Sequence, residues 1–234
     1  MRDTFAIILA AGNGVRVGGK LKQFFTVDGR PLLHYSIETL KRCPSIAEII
    51  AVVPKKKIAF AERLVATYKS APYVRVIAGG PTRRASCFAA LRDIDARAQQ
   101  PAVVVIHDAV RPLFTKSDVD RLIQAARKDK AAMLGIRAID TVAEVKKGFI
   151  ATIPDRNKLY STFTPHAYSF SLLFRAHTDP RNRADRISYD ENSVLVNRIG
   201  VRIKLVEGSY PNLKLTYMQD LTGVEAYLKL RNRR

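Results

Sequence analysis

Runs of wholly apolar residues alternate with amphipathic stretches over the first 136 positions of this chain. Residues 5–9, Phe-Ala-Ile-Ile-Leu, are apolar throughout and stop at a glycine-rich turn, the pattern of a strand buried on both faces. Arg30-Pro31 opens a predicted helix with Leu32, Leu33, Tyr35, Ser36 and Leu40 at helical spacing and proline in the first turn. Residues 49–53 form a second predicted strand closed by Pro54; a helix through Ala59, Leu64 and Val65 follows, and 73–78 is a third strand. A helix over 84–98 spaces Phe88, Leu91 and Ile94 by threes, and a fourth strand, 102–106, ends in the polar knot His107-Asp108-Ala109-Val110-Arg111-Pro112. Residues 119–126 read as helix and 131–136 again as strand. This alternation predicts an α/β fold, a doubly wound and mostly parallel sheet, in which ligands gather at the carboxyl ends of the strands. Both polar loops, after Leu9 and after Ile106, fall at such ends.

The alternation then breaks. Residues 141–153 hold two short β-like runs around Lys147-Gly148, a predicted hairpin arm that projects from the body. The stretch 179–185 is polar, 201–206 is a last predicted strand and 221–230 a closing helix. With no internal repeat or low-complexity segment, residues 1–234 are expected to form a single domain.

Composition changes little in that picture. The 234 residues are 47% hydrophobic and 26% charged, enough for one large α/β core. The apolar stretch 5–11 is too short to span a bilayer and runs straight into glycine, with no basic leader or cleavage site, so the expectation is a cytoplasmic protein without a membrane. Cys43 and Cys87 lack metal-ligand spacing and read as reduced thiols. The formal charge of +19 raises the question of a nucleic-acid partner. Yet the cations are spread along the chain, with short clusters only at 55–57 and 231–234, and there is no tryptophan or stacking aromatic run, so nucleic acid is not the expected partner.

The glycine-rich segment at residues 9–23 carries the first chemistry. Its glycines let backbone N–H groups approach an anion, and Arg16, Lys20 and Lys22 add charge. A P-loop kinase reading aligns Gly14, Gly19 and Lys20, but Leu21 stands where a Mg²⁺-binding hydroxyl belongs. A dinucleotide fingerprint fails as well, because Val17 replaces its third glycine. The remaining pattern, Ala-Ala-Gly-x-Gly-x-Arg followed by Lys-Gln-Phe, resembles the triphosphate-wrapping loop of sugar-nucleotide pyrophosphorylases.

Further motifs narrow the resemblance. Gly79-Gly80-Pro-Thr-Arg83-Arg84-Ala-Ser86, then His107-Asp108-Ala109-Val110-Arg111-Pro112, then Asp140-Thr141, Arg156, Thr164-Pro165, Asp190-Glu191 and Asn212-Leu-Lys214-Leu-Thr216 follow one another in order. Together they resemble the 2-C-methyl-D-erythritol 4-phosphate cytidylyltransferases and the related ribitol-5-phosphate cytidylyltransferases, over nearly the whole chain. The resemblance implies a nucleotide-diphospho-sugar transferase-like fold, a homodimer with a dimerisation arm at about 139–167, and CTP and a sugar-alcohol phosphate as substrates. It implies the isoprenoid-precursor reaction, with ribitol phosphate as the alternative acceptor, and Mg²⁺ or another divalent cation as cofactor. By the same resemblance Ala10, Ala11, Gly12, Gly14, Gly80, Arg83, Ser86, Asp108 and Ala109 bind the nucleotide. Arg16, Lys22 and Lys214 line the triphosphate as catalytic cations, and Asp108 also faces the metal. Arg111, Thr141, Arg156 and Thr164 bind the acceptor, Arg156 and Thr164 being donated by a second subunit. The sequence departs from the family's pattern at Leu21, where proline is usual, and at Pro81-Thr82, Ala143, His166 (commonly Gln) and Tyr189.

The implied chemistry suits these residue types. An acceptor phosphate is already ionised near neutral pH, so its oxygen can attack the α-phosphorus of CTP without a general base. The four histidines are scattered and offer no ligand pair. What the reaction needs is fixed positive charge to bring two polyanions together. Plainer roles stay open: Asp108 as a cap, His107 as a packed imidazole, Arg111 as a loop brace, Lys214 on a solvated face.

Overall fold

A computed structural model describes residues 2–12, 21–68, 70–98, 100–182, 192–209 and 212–232. A seven-stranded sheet runs through the molecule in the order β11-β7-β10-β6-β1-β4-β5. Its strands are β1 (Thr4–Leu9), β4 (Ile46–Val53), β5 (Tyr73–Ala78), β6 (Val103–Asp108), β7 (Ala131–Arg137), β10 (Tyr160–Ser169) and β11 (Lys204–Glu207). All are parallel except β10, which runs antiparallel to both its neighbours.

The sheet is covered on both faces, as its apolar strands require. In β1, Ala6 and Ile8 face a core shared with α1 (Leu32–Lys41), α2 (Ile58–Val65) and α4 (Lys116–Asp129). Phe5, Ile7 and Leu9 face the opposite core with α3 (Arg83–Ala96), α5 (Phe170–Thr178) and α6 (Asn192–Arg198). A third cluster joins Val27, Leu32 and Tyr35 to Leu215, Val224 and Leu228, so that α7 (Asp220–Asn232) fastens the end of the chain over its beginning. Val27 comes from a minimal hairpin of β2 (Thr26–Val27) and β3 (Arg30–Pro31).

The expected α/β, doubly wound, mostly parallel architecture is what the chain forms. The predicted helix at 119–126 extends about a turn at each end: Thr115 and Asp118 make a reciprocal capping box at its start, and Lys130 stops it in the left-handed region. The predicted strand at 201–206 begins later, at Lys204. Of the polar stretch 179–185, Asn182 is buried, its amide donating to the Ala176 and Leu195 carbonyls; residues 183–185 lie outside the described set.

The larger correction concerns the arm. β8 (Glu144–Lys146) and β9 (Phe149–Thr152) form the expected hairpin, every residue exposed, with Lys147 and Gly148 both at positive φ in the turn. From Tyr160 onward, however, the chain is not arm: β10 enters the middle of the sheet between β6 and β7. Proline inside a strand reads against a central position, because it cannot donate to the ladder. Here the ladder register shifts between Phe163 and His166, and Pro165 sits in that shift.

Candidate active site

β1 and β6 are neighbours, with Leu9 paired to Asp108 at their carboxyl ends. Between these ends, the turn before α3 and the segment after residue 212 lies a cavity of about 310 Å³. One part of its lining is small and close to backbone: Ala10, Ala11, Gly12, Gly80 and Ser86. The Gly80 N–H donates to Ser86 Oγ at 3.2 Å, and that hydroxyl donates to the Thr82 carbonyl at 2.9 Å, closing the turn. Thr82 caps α3 by accepting from the Ala85 N–H. Gly79 must be glycine, since a Cβ there would lie 2.4 Å from the Ala11 Cβ.

The other part of the lining is charged: Lys22, Arg83, Asp108 and Lys214. Asp108 is the hub. Its Oδ1 takes Arg83 Nε at 3.0 Å, its Oδ2 takes Lys214 Nζ at 3.0 Å, and its N–H donates to Thr164 Oγ1 at 3.1 Å. Burial alone would raise its pKa, but the two cations outweigh burial and hold the carboxyl well below the usual carboxylate range. Lys22 opens a short 3-10 turn, Lys22–Phe24, and its ammonium donates to the Thr216 carbonyl at 2.8 Å. Lys22 and Lys214 therefore reach the same cavity from opposite ends of the sequence.

Other expected residues fall elsewhere. Ala109 is buried with its N–H donated to the Leu9 carbonyl; it joins β6 to β1 and does not line the cavity. Arg111 donates to the Asn212 carbonyl at 2.8 Å and lies 5.6 Å from the Phe163 ring, the bracing role left open above. Thr164, expected on a partner's arm, is buried in β10 of this same chain behind Asp108, and its carbonyl accepts from the Asn212 side chain at 2.8 Å. Thr141 and Arg156 are exposed on the arm region and do not line the chain's own cavity; Arg156 donates to the Ile139 carbonyl at 3.0 Å. Gly14, Arg16, Tyr189 and the Asp190-Glu191 pair lie outside the described residues. His107 is packed, its ring centroid 4.1 Å from that of Phe114.

Sequence reasoning missed Gln23, which is buried at the cavity and donates to the Ala10 and Gly12 carbonyls. It also gave no role to Asn212, whose side chain ties the Lys214 segment to β10. Gln23 stands beside Lys22 and Asn212 two positions before Lys214, each within a recognised motif, and that proximity was the available signal.

Fold and site together define the class, an α/β nucleotidyltransferase, with a cavity at the strand ends walled by small residues on one side and charged ones on the other. Among the described residues no helix is long and apolar enough to cross a membrane. The family model described as 2-C-methyl-D-erythritol 4-phosphate cytidylyltransferase matches residues 4–230, and the chain belongs to that family. A relative of that name from Geobacter metallireducens is 34% identical over 96% of this chain and 97% of its own length. Another, from Desulforamulus reducens, is 33% identical over 99% of this chain and 98% of its own. A solved 4-diphosphocytidyl-2C-methyl-D-erythritol synthase from Anaerococcus prevotii superposes with a TM-score of 0.84 at 28% identity, covering 97% of this chain and 96% of that one.

Proposed function

We propose that this chain transfers the cytidylyl group of CTP to the phosphate of 2-C-methyl-D-erythritol 4-phosphate. The products are pyrophosphate and 4-diphosphocytidyl-2-C-methyl-D-erythritol, a step toward isoprenoid precursors. The observation that carries the reading is a cavity lined by Lys22, Arg83 and Lys214, the latter two paired to the buried Asp108 carboxylate, next to a wall of small residues, in a chain of this family.

The cytosine and ribose lie along Ala10, Ala11, Gly12, Gly80 and Ser86, where missing side chains leave room. Lys22 and Lys214, with Arg16 and Gly14 of the glycine-rich loop, meet the triphosphate. An acceptor phosphate oxygen attacks the α-phosphorus in line, and pyrophosphate leaves. Positive charge fixed before reaction stabilises the charge that builds on the five-coordinate phosphorus. No proton need be removed from the nucleophile, which fits a cavity with no histidine among the described residues that line it.

A divalent cation such as Mg²⁺ fits this donor set. Among the described residues Asp108 is the one carboxylate in the cavity lining and would hold it, with phosphate oxygens and waters completing the shell, as magnesium prefers. Bound there, the ion would neutralise part of the triphosphate charge.

The acceptor end is completed by a second copy of the chain. The arm exposes Ile139, Val145, Phe149, Ile150 and Ile153, an apolar surface suited to a two-fold partner, and Thr141 and Arg156 travel with it. Arg111 and Thr164 then act from within the chain, bracing the floor against which the acceptor rests. The substrates are water-soluble, and the cytoplasm is the compartment.

The direct test is CTP-dependent pyrophosphate release with 2-C-methyl-D-erythritol 4-phosphate and ribitol 5-phosphate side by side. Turnover with the former is expected. Turnover with ribitol 5-phosphate alone would reassign the acceptor, and turnover with neither would remove the proposal.

A further inference from the structure

Gln23 is 3% exposed, yet it lines the cavity. Its side-chain nitrogen donates to the Ala10 carbonyl at 2.6 Å and to the Gly12 carbonyl at 3.1 Å. Those carbonyls precede the glycine-rich loop and Gln23 follows it, thirteen and eleven positions later, so the carboxamide closes the neck of the loop. The amide has one satisfactory orientation. Turned over, its oxygen would face two carbonyl oxygens and no donor.

The same turn is held by two further contacts. The Ala10 N–H donates to the Val52 carbonyl at 2.8 Å, extending the sheet by one residue. Ala11 packs against Gly79, where a Cβ would lie 2.4 Å from the Ala11 Cβ and 2.9 Å from Ser86 Oγ. These fix where the turn lies, whereas Gln23 fixes how its peptide planes are rotated. In a trans peptide the carbonyl and the following N–H point oppositely in one plane, so the bond to Ala10 O also sets the direction of the Ala11 N–H.

We infer that Gln23 is a positioning residue for the nucleotide, its carboxamide orienting the peptide planes of residues 10–12 on which the cytidine rests. The inference depends on the proposed reading of those residues as the nucleotide wall. Without the two donors, the carbonyls of a buried turn must find other partners, and the planes rotate away from the shape that receives the base.

The test is steady-state kinetics on the full chain with CTP and 2-C-methyl-D-erythritol 4-phosphate, together with calorimetric binding of CTP. Gln23→Met keeps the length of the side chain and removes its donors. The KM and Kd for CTP are expected to rise about ten- to thirtyfold, the value of two neutral hydrogen bonds. The acceptor KM should stay near wild type and the loss should fall on KM more than on kcat, while the thermal midpoint falls modestly because two carbonyls of a buried turn lose their donor. Gln23→Asn keeps the amide but is one methylene too short to span both carbonyls, so its CTP KM should rise by less; it serves if the methionine variant does not fold. A lowered thermal midpoint with unchanged CTP KM in these variants would overturn the inference and make Gln23 a brace of the fold alone. That result leaves the nucleotide reading standing, whereas a wild-type chain that fails to bind CTP overturns both.

Discussion

Lys214 Nζ lies 3.0 Å from Asp108 Oδ2, across 106 positions of sequence. Because the other carboxylate oxygen holds Arg83, one anion fixes two cations at the site where a triphosphate would arrive. Removing its charge would take from Arg83 and Lys214 the anion they share, leaving two like charges close together. Asp108→Asn is expected to lower turnover by about 10²–10³-fold, through cations that are no longer aimed. Initial-rate measurements at saturating CTP decide this, and near-normal turnover would take Asp108 out of the site.

The two lysines make a sharper prediction, since they share a cavity but no element of structure. Lys22→Ala and Lys214→Ala should each lower kcat by about 10²–10³-fold, the usual cost of losing one preorganised donor to a developing charge. Circular dichroism should be unchanged, because both ammonium groups reach the cavity and neither lysine belongs to an apolar core cluster. Normal turnover in both variants would dismiss the proposed phosphate grip.

Acid should destabilise the fold through two imidazoles beside the site. Burial pushes His107 and His166 down to about 3 from the ordinary 6.5, with Arg83 adding to the effect at His166 and Asp108 opposing it at both. The native state keeps both rings neutral while the unfolded chain takes up protons below 6.5. Stability is therefore full above that pH and is lost as pH falls from 6.5 toward 3. Each ring adds a slope of about 1.4 kcal/mol per pH unit in that window. Denaturant melts of His166→Gln, which installs the residue common in the family, should show a shallower acid slope than wild type by one histidine's share. An unchanged slope would mean that His166 is not held neutral.

Much of this site could be seen in one dimension, and what could not has a physical cause. Strand β5 spans the predicted 73–78, although it is the edge strand of the sheet and none of its residues is fully buried. Asp108 was recognised but placed in a loop after its strand; it is the last residue of β6, still laddered to Leu9 while its carboxylate turns into the cavity. A charged side chain ends an apolar run without ending the backbone pairing. Strand β10 was hidden because Pro165 removes a donor in mid-strand, and the register shift against β7 in which it sits is a tertiary feature. The placement of Thr164 failed with it. Gln23 was quoted within its motif, yet nothing in its own neighbourhood says that its partners are two carbonyls upstream of the loop.

The arm supplies a test that separates acceptor binding from CTP binding. Phe149 is 79% exposed at the hairpin turn, beside Ile150 and Val145, and such a surface on a monomer calls for a partner. If each active site takes Lys22 from one protomer and Arg156 from the other, Lys22→Ala and Arg156→Ala homodimers are both inactive. Mixed and allowed to exchange, they form heterodimers with one wholly intact site and one doubly damaged site. Half the dimers then carry one working site of two, so about a quarter of wild-type activity should return, as isologous symmetry requires. Phe149→Glu, introduced into both, should abolish both the recovery and the dimer peak in size-exclusion chromatography. No recovery from an equal mixture shown by mass to contain heterodimers would mean that Arg156 serves its own chain, and the arm would then be an interface without a catalytic share.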